Sequence, residues 1–121
     1  MIDESQALYS FWSDFELPAY DEYSVPDSAS LPYITYSTAE GDVRHVLNLY
    51  GVVWYDSKSW SEVERKAAEI NRRIGMDGVD IPFDGGTLHI ARGMPPRQRY
   101  SQSTSDVKGI IINIQAKFVT T

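Results

Sequence analysis

The sequence predicts an α+β fold, a mainly antiparallel β-sheet flanked by two α-helices, in one domain over residues 1–121. Three observations point to it. In residues 109–119, Ile110, Ile112, Ile114, Ala116 and Phe118 alternate with Ile111, Asn113, Gln115, Lys117 and Val119. Successive side chains of a strand point to opposite faces, so this run is a long strand with one wholly apolar face. Two other stretches carry apolar residues at helical spacing. The remaining β-branched and aromatic runs are joined by short turns, which favours antiparallel pairing with the helices laid on the sheet.

Residues 2–16 read as the first helix. Asp3 or Ser5 can cap it, and Leu8, Phe11, Trp12 and Phe15 then share one face. Acids in the first turn suit the positive end of the helix dipole, and Pro18 stops the helix. Residues 18–32 read as a polar loop punctuated by Pro18, Pro26 and Pro32. A loop of about fifteen residues is long for a compact domain, and such loops are often functional. Tyr20 and Tyr23 stand out within it, because disordered linkers are poor in aromatics. They either pack back on the domain or meet a partner.

Tyr33-Ile34-Thr35-Tyr36-Ser37 is a strand, Glu40-Gly41-Asp42 a turn, and residues 46–55 the next strand, with Gly51 marking a bulge or a close contact. Ser59 or Ser61 caps a second helix that runs through Ile74 and ends at Gly75. With Ser61 as the cap, Glu64 completes a capping box. Val63, Ala67, Ile70 and Ile74 face the core, while Arg65, Lys66, Glu69, Arg72 and Arg73 face solvent. Arg72 and Arg73 in the last turn complement the dipole. Residues 79–83 and 87–92 form a hairpin about Asp84-Gly85, a turn whose two central residues both need positive φ. Pro82 cannot donate to a ladder, so the first arm is an edge strand or a very short one. Residues 93–108 read as a second long loop, where Arg92, Arg97, Arg99 and Lys108 oppose only Asp106. The order is α–β–β–α–β–β–β, with no repeats and no low-complexity tract.

A chain of 121 residues buries roughly two-thirds of its unfolded surface and needs no covalent staples. It has no cysteine, which excludes disulfides, thiolate nucleophiles and cysteine-held metals. The opening Met1-Ile2-Asp3-Glu4 lacks the basic region and apolar core of a signal peptide, and no run approaches the roughly 18 apolar residues of a membrane span. The expectation is a soluble protein made in a cytosol, with no membrane partner. The net charge of −6 is unevenly placed. Residues 1–32 hold seven acids and no Lys or Arg, whereas the rest carries ten acids and eleven bases. That asymmetry marks either an acidic surface for a distinct partner or a solvated helix and loop. It argues against a dedicated nucleic-acid binder.

Little in the chain carries catalytic chemistry. His45 and His89 stand at no metal-ligand spacing, and both read as structural or surface residues. Nothing marks a nucleophile among the serines. Asp84-Gly85-Gly86 opens no helix, so it does not read as a phosphate cradle. Glu62 and Glu64 lie on a solvated helix turn. The expectation is therefore no enzyme, no catalytic residues, no cofactor and no metal. Arg97-Gln98-Arg99-Tyr100 reads as a protein-contact loop, as a plain solvated loop, or as a cluster touching phosphates with Tyr100 stacked on a base; Arg and Tyr enrichment at interface cores favours protein.

Several segments, taken in order, resemble a family of small tail-completion proteins from long-tailed phages and prophages of Gram-positive bacteria. They are Phe11-Trp12-Ser13-Asp14-Phe15-Glu16-Leu17-Pro18-Ala19-Tyr20, Leu31-Pro32-Tyr33-Ile34-Thr35-Tyr36 and Val53-Trp54-Tyr55-Asp56-Ser57-Lys58-Ser59-Trp60. The Ile81-Pro82-Phe83-Asp84-Gly85-Gly86 hairpin and the closing strand follow. The resemblance covers most of the chain and rests on order and spacing rather than on one motif. It implies a tail terminator, or tail-to-head joining protein, with a sheet flanked by helices. Such proteins form hexameric rings that cap the tail tube, end its growth and offer a docking face to the head–tail connector. The location implied is the head-proximal end of the tail in the virion, reached from the host cytoplasm during assembly. DNA would pass through the ring without specific binding, which suits an acidic subunit, since Lys and Arg are what grip phosphates. The family offers no catalytic residues to carry over. The interface candidates come from the two long loops: Tyr20, Tyr23, Arg97, Arg99 and Tyr100. A head-closure or neck protein of the same particle and a small monomeric peptide- or glycan-binding module are the alternatives.

Overall fold

The structure, a computed structural model, describes residues 2–38, 46–101 and 103–120. Helix α1 spans Glu4–Trp12 and continues as a 3-10 turn, Ser13–Phe15. Six strands follow, β1 (Ala19–Asp21), β2 (Tyr33–Tyr36), β3 (Leu47–Asp56), β4 (Val79–Phe83), β5 (Gly86–Arg99) and β6 (Val107–Thr120), with helix α2 (Ser61–Ile74) between β3 and β4. They form one sheet in the order β1-β2-β3-β6-β5-β4. Every neighbouring pair is antiparallel except β1 with β2. The α+β class and the mainly antiparallel sheet with two helices are as the sequence predicts.

Asp3 is the cap of α1: its carboxylate accepts from the Gln6 N–H, and the Gln6 side chain accepts from the Asp3 N–H, each at 2.9 Å. Ser5, the other candidate, donates its hydroxyl to the Asp3 carboxylate instead. The helix breaks before Pro18, where Glu16 turns to φ +65°. At α2 the expected capping box is absent. Trp60 occupies the cap position, the Ser59 hydroxyl accepts from the Ser61 N–H at 3.1 Å, and no side-chain cap bond forms at Trp60. The Glu64 carboxylate is turned away, toward Arg97 and Arg99.

β6 lies at the centre, paired with β3 on one side and β5 on the other. Ile110, Ile112, Ile114, Ala116 and Phe118 are all buried, in one cluster with Val53 and Leu49 of β3, Leu88 and Ile90 of β5, and the apolar faces of both helices. Both helices therefore cover the same side of the sheet. Burial of each isoleucine removes apolar area worth roughly 1.5–3 kcal/mol from water. Trp12 of α1 closes the core. It packs edge-on to Phe11 at 4.8 Å and stacks on Tyr36 at 6.3 Å, with its ring directly over Gly51. Gly51 thus marks a close contact and not a bulge.

Three expectations need correction. Residues 18–32 are not all loop, because Ala19–Asp21 pairs in parallel with β2, register Tyr20↔Thr35. Residues 93–108 are mostly strand: β5 runs on to Arg99 and β6 begins at Val107, leaving a short connection between them. Lys108, assigned to that loop, is a buried residue of β6 whose ammonium donates to the Thr104 carbonyl. The hairpin at Asp84-Gly85 has positive φ at Gly85 only, +88°. Pro82 does stand on an edge strand, β4. The expected turn at Glu40-Gly41-Asp42 and the reading of His45 lie outside the described residues. No helix among the described residues is long and apolar enough to cross a membrane.

A Cβ at position 51 would stand 2.6–2.9 Å from three atoms of the buried Trp12 ring. Gly51→Ala is expected to lower stability by about 1–3 kcal/mol, as overpacking does. Urea denaturation followed by far-UV circular dichroism measures the loss.

Candidate interface on the uncovered sheet face

The helices leave the opposite side of the sheet bare. Strand alternation brings to it Tyr20 from β1, Tyr33 and Thr35 from β2, Tyr50, Val52 and Trp54 from β3, and Ile111 and Asn113 from β6. Trp54 anchors this face. It lies opposite Tyr33 in the ladder, donates Nε1–H to the Thr35 hydroxyl at 3.0 Å, and meets Tyr100 edge to face at 5.1 Å. Its ring occupies the space above Gly109, where a Cβ would come within 2.7 Å. Tyr20 packs edge to face on Tyr33 at 5.6 Å.

A bulge walls this face. Between the Arg92↔Ile114 and Arg97↔Ile112 pairs, residues 93–96 of β5 stand opposite Asn113 alone. Gly93 makes this possible, since a Cβ there would lie 2.8 Å from the Asn113 backbone. The Asn113 amide donates to the Pro95 carbonyl at 2.9 Å, and Met94 projects 87% exposed. Between bulge and aromatic residues runs an open groove of about 660 Å³. Among the described residues Glu22 is the single charged one lining it. The Tyr50 hydroxyl donates to both Glu22 oxygens, at 2.7 and 2.9 Å. That bond, followed by desolvation, pushes the Tyr50 phenol up to about 12. A smaller cleft of about 390 Å³ lies beside α1, between Tyr9, Asp21 and Tyr36.

The five interface candidates separate. Tyr20 and Tyr100 stand on the uncovered face. Tyr23 is 86% exposed, its N–H held by the Asp21 carboxylate at 2.9 Å. Arg97 and Arg99 lie on the helix side, with both guanidinium groups on Glu64 of α2, at 3.7 and 3.2 Å. Arg99 also covers the Trp60 ring at 4.2 Å. Arg92 joins this seam, donating Nε–H and an Nη–H to the Asn71 carbonyl near the end of α2. At the far side of α2, Lys66 donates to the Phe15 carbonyl at 2.9 Å and Arg73 holds both the carbonyl and the carboxylate of Asp14. Two helix cations read as solvent-facing therefore fasten the 3-10 turn. His89 lies in register with Asp80 across the hairpin, Nδ1 2.6 Å from its carboxylate. Among the described residues no three His, Asp or Glu side chains come together in a way that could hold a metal ion.

Tyr33, Tyr50, Trp54 and Glu22 are the site residues that the sequence analysis missed. The signal was present in part: Tyr33 and Thr35, and Tyr50, Val52 and Trp54, alternate at strand spacing. Only the register makes them one surface.

The fold is similar to that of a chain in the virion of a native gene transfer agent particle, with a TM-score of 0.65 over 93% of this chain and 89% of that one. Sequence identity is 16%, so the likeness is one of fold. No protein-family model and no curated protein matches the sequence.

Since the raised Tyr50 phenol must ionise at higher pH in the folded chain than in the unfolded one, its contribution is whole below about pH 10. It is lost as pH climbs toward 12. The difference in thermal midpoint between the native chain and Tyr50→Phe is thus expected at neutral pH and should vanish over that alkaline window, as followed by circular dichroism melts.

Proposed function

We propose that this chain is a structural protein of a phage-like virion, a non-enzymatic subunit that caps the tail tube as a hexameric ring, ends tube growth and presents a face to the head–tail connector. One observation carries the reading: nearly the whole chain shares its fold with nearly the whole of a chain from a gene transfer agent virion. The order of segments that resembles tail-completion proteins supports the finer assignment.

A closed ring needs two different surfaces on each subunit, one meeting the other on the next copy. The N-terminal quarter, with seven acids and no base, supplies one, marked by Tyr20 and Tyr23. The seam at Arg97 and Arg99 supplies the other. There two guanidinium groups share the single carboxylate of Glu64, which leaves one positive charge in excess. Six weak contacts of this kind add to a firm one by avidity. Tyr100, in the groove, is assigned to a different partner.

Electron microscopy of particles lacking the gene tests the function. Overlong, variable tails detached from filled heads are expected. Normal-length tails that fail to join heads would make the chain a head-closure protein, and normal virions would discard the virion role in favour of a monomeric binding module, the reading that the aromatic groove favours. The ring contact has its own test. Arg97→Glu with Arg99→Glu should abolish capping in a complementation assay while the purified variant still melts cooperatively; full capping by that variant would refute the pairing.

A further inference from the structure

The lining of the groove on the uncovered face narrows what can lie in it. Among the described residues its lining includes no Lys or Arg, and Glu22 is the one charge there. A nucleic acid would find no cation for its phosphates and one carboxylate against them. Several of the groove's hydrogen-bonding groups are engaged within the chain, which leaves the Tyr33 and Tyr100 hydroxyls and the Gln98 amide in the groove. The Trp54 N–H is on Thr35, the Tyr50 hydroxyl on Glu22 and the Asn113 amide on Pro95. The rings also meet at steep angles, 81° for Trp54 with Tyr100 and 75° for Tyr20 with Tyr33. They present ridges and slots, not one flat platform for a sugar or a base.

Ridges of Tyr and Trp, slots between them, and hydroxyl and amide donors able to meet backbone carbonyls suit an extended proline-rich segment. A polyproline II helix is stiff, has no internal hydrogen bonds to lose, and docks in aromatic-lined grooves at small entropic cost. Glu22 keeps acceptor capacity beyond the Tyr50 hydroxyl, and a carboxylate there complements a cationic side chain. We propose that this groove binds an extended, proline-bearing segment of a partner protein, with a Lys or Arg of that segment set against Glu22.

The site is built in advance of its ligand. Trp54 is fixed by Thr35, Gly109 and Tyr100, and the wall of Met94 and Pro95 is tied to Asn113. Little side-chain freedom is left to lose on binding, which favours affinity. The volume of about 660 Å³ falls in the usual range for ligand clefts, roughly 300–1,000 Å³. This inference stands apart from the tube-capping reading: a capping subunit and a free binding module would use the groove alike, and the deletion phenotype does not bear on it.

Selection of displayed random dodecapeptides on the immobilised full chain tests it. Enriched sequences should combine proline with Lys or Arg. Their affinity should fall at least about tenfold on Trp54→Ala and on Met94→Arg, as at other interface anchors. Glu22→Gln should erase the preference for the basic residue and keep that for proline. Met94 is 87% exposed, so Met94→Arg leaves the core intact and serves even where Trp54→Ala misfolds. A selection without binders, binders lacking proline or basic residues, or binders indifferent to Met94→Arg would each overturn the proposal. Retention of a glycan in place of any peptide, by an array run in parallel, would do the same.

Discussion

Ile110, Ile112, Ile114, Ala116 and Phe118 project from one side of β6, and their removal from water is the interaction on which the rest of the structure depends. The strand is central, so its apolar face runs on into β3 and β5, and both helices must lie on that side. Two short helices suffice for one face of a six-stranded sheet. The other face is left to its own side chains. Tyr33, Tyr50, Trp54 and Tyr100 are large enough to shield one another there while keeping polar tips in water. The candidate interface is in this sense the complement of the core.

The charged residues of α2 hold the layers together laterally. Arg92, Arg97 and Arg99 reach it from β5, and Lys66 and Arg73 reach from it to the turn after α1. An exposed ion pair alone contributes little, about 0–1 kcal/mol. These contacts gain more from geometry, since guanidinium groups stack on Trp60 and Phe15 as well as hydrogen-bonding. The basic segment that reads as free loop in the sequence is thus partly committed inside the molecule, and only its surplus charge is left for another chain.

Elements with a strong period were legible in the sequence, namely α1, α2 and β6, because burial on one face imposes that period directly. β1 was not, since three residues cannot show alternation and its pairing depends on a partner fifteen positions away. The far half of β5 was hidden by Pro95 and Pro96, which argue against a strand until a bulge takes them out of the ladder. Within the site, Tyr20 and Tyr100 were visible as aromatics in polar surroundings. The grip of Glu64 on Arg99 was not, because the two are 35 residues apart and nothing local couples them. Gly51 gave a true signal of close approach, although only the structure identifies Trp12 as the group that approaches.

The three tryptophans fall in three separate layers: Trp12 is sealed in the core, Trp60 lies beneath Arg99 at the seam, and Trp54 stands on the open face. The chain consequently carries its own set of optical reporters. Emission from Trp12 should be blue and indifferent to a dissolved quencher, that from Trp60 sensitive to whether α2 is seated, and that from Trp54 sensitive to whatever covers the groove. Substituting them one at a time by phenylalanine would separate melting of the core, loosening of the helix and occupancy of the face within one fluorescence trace.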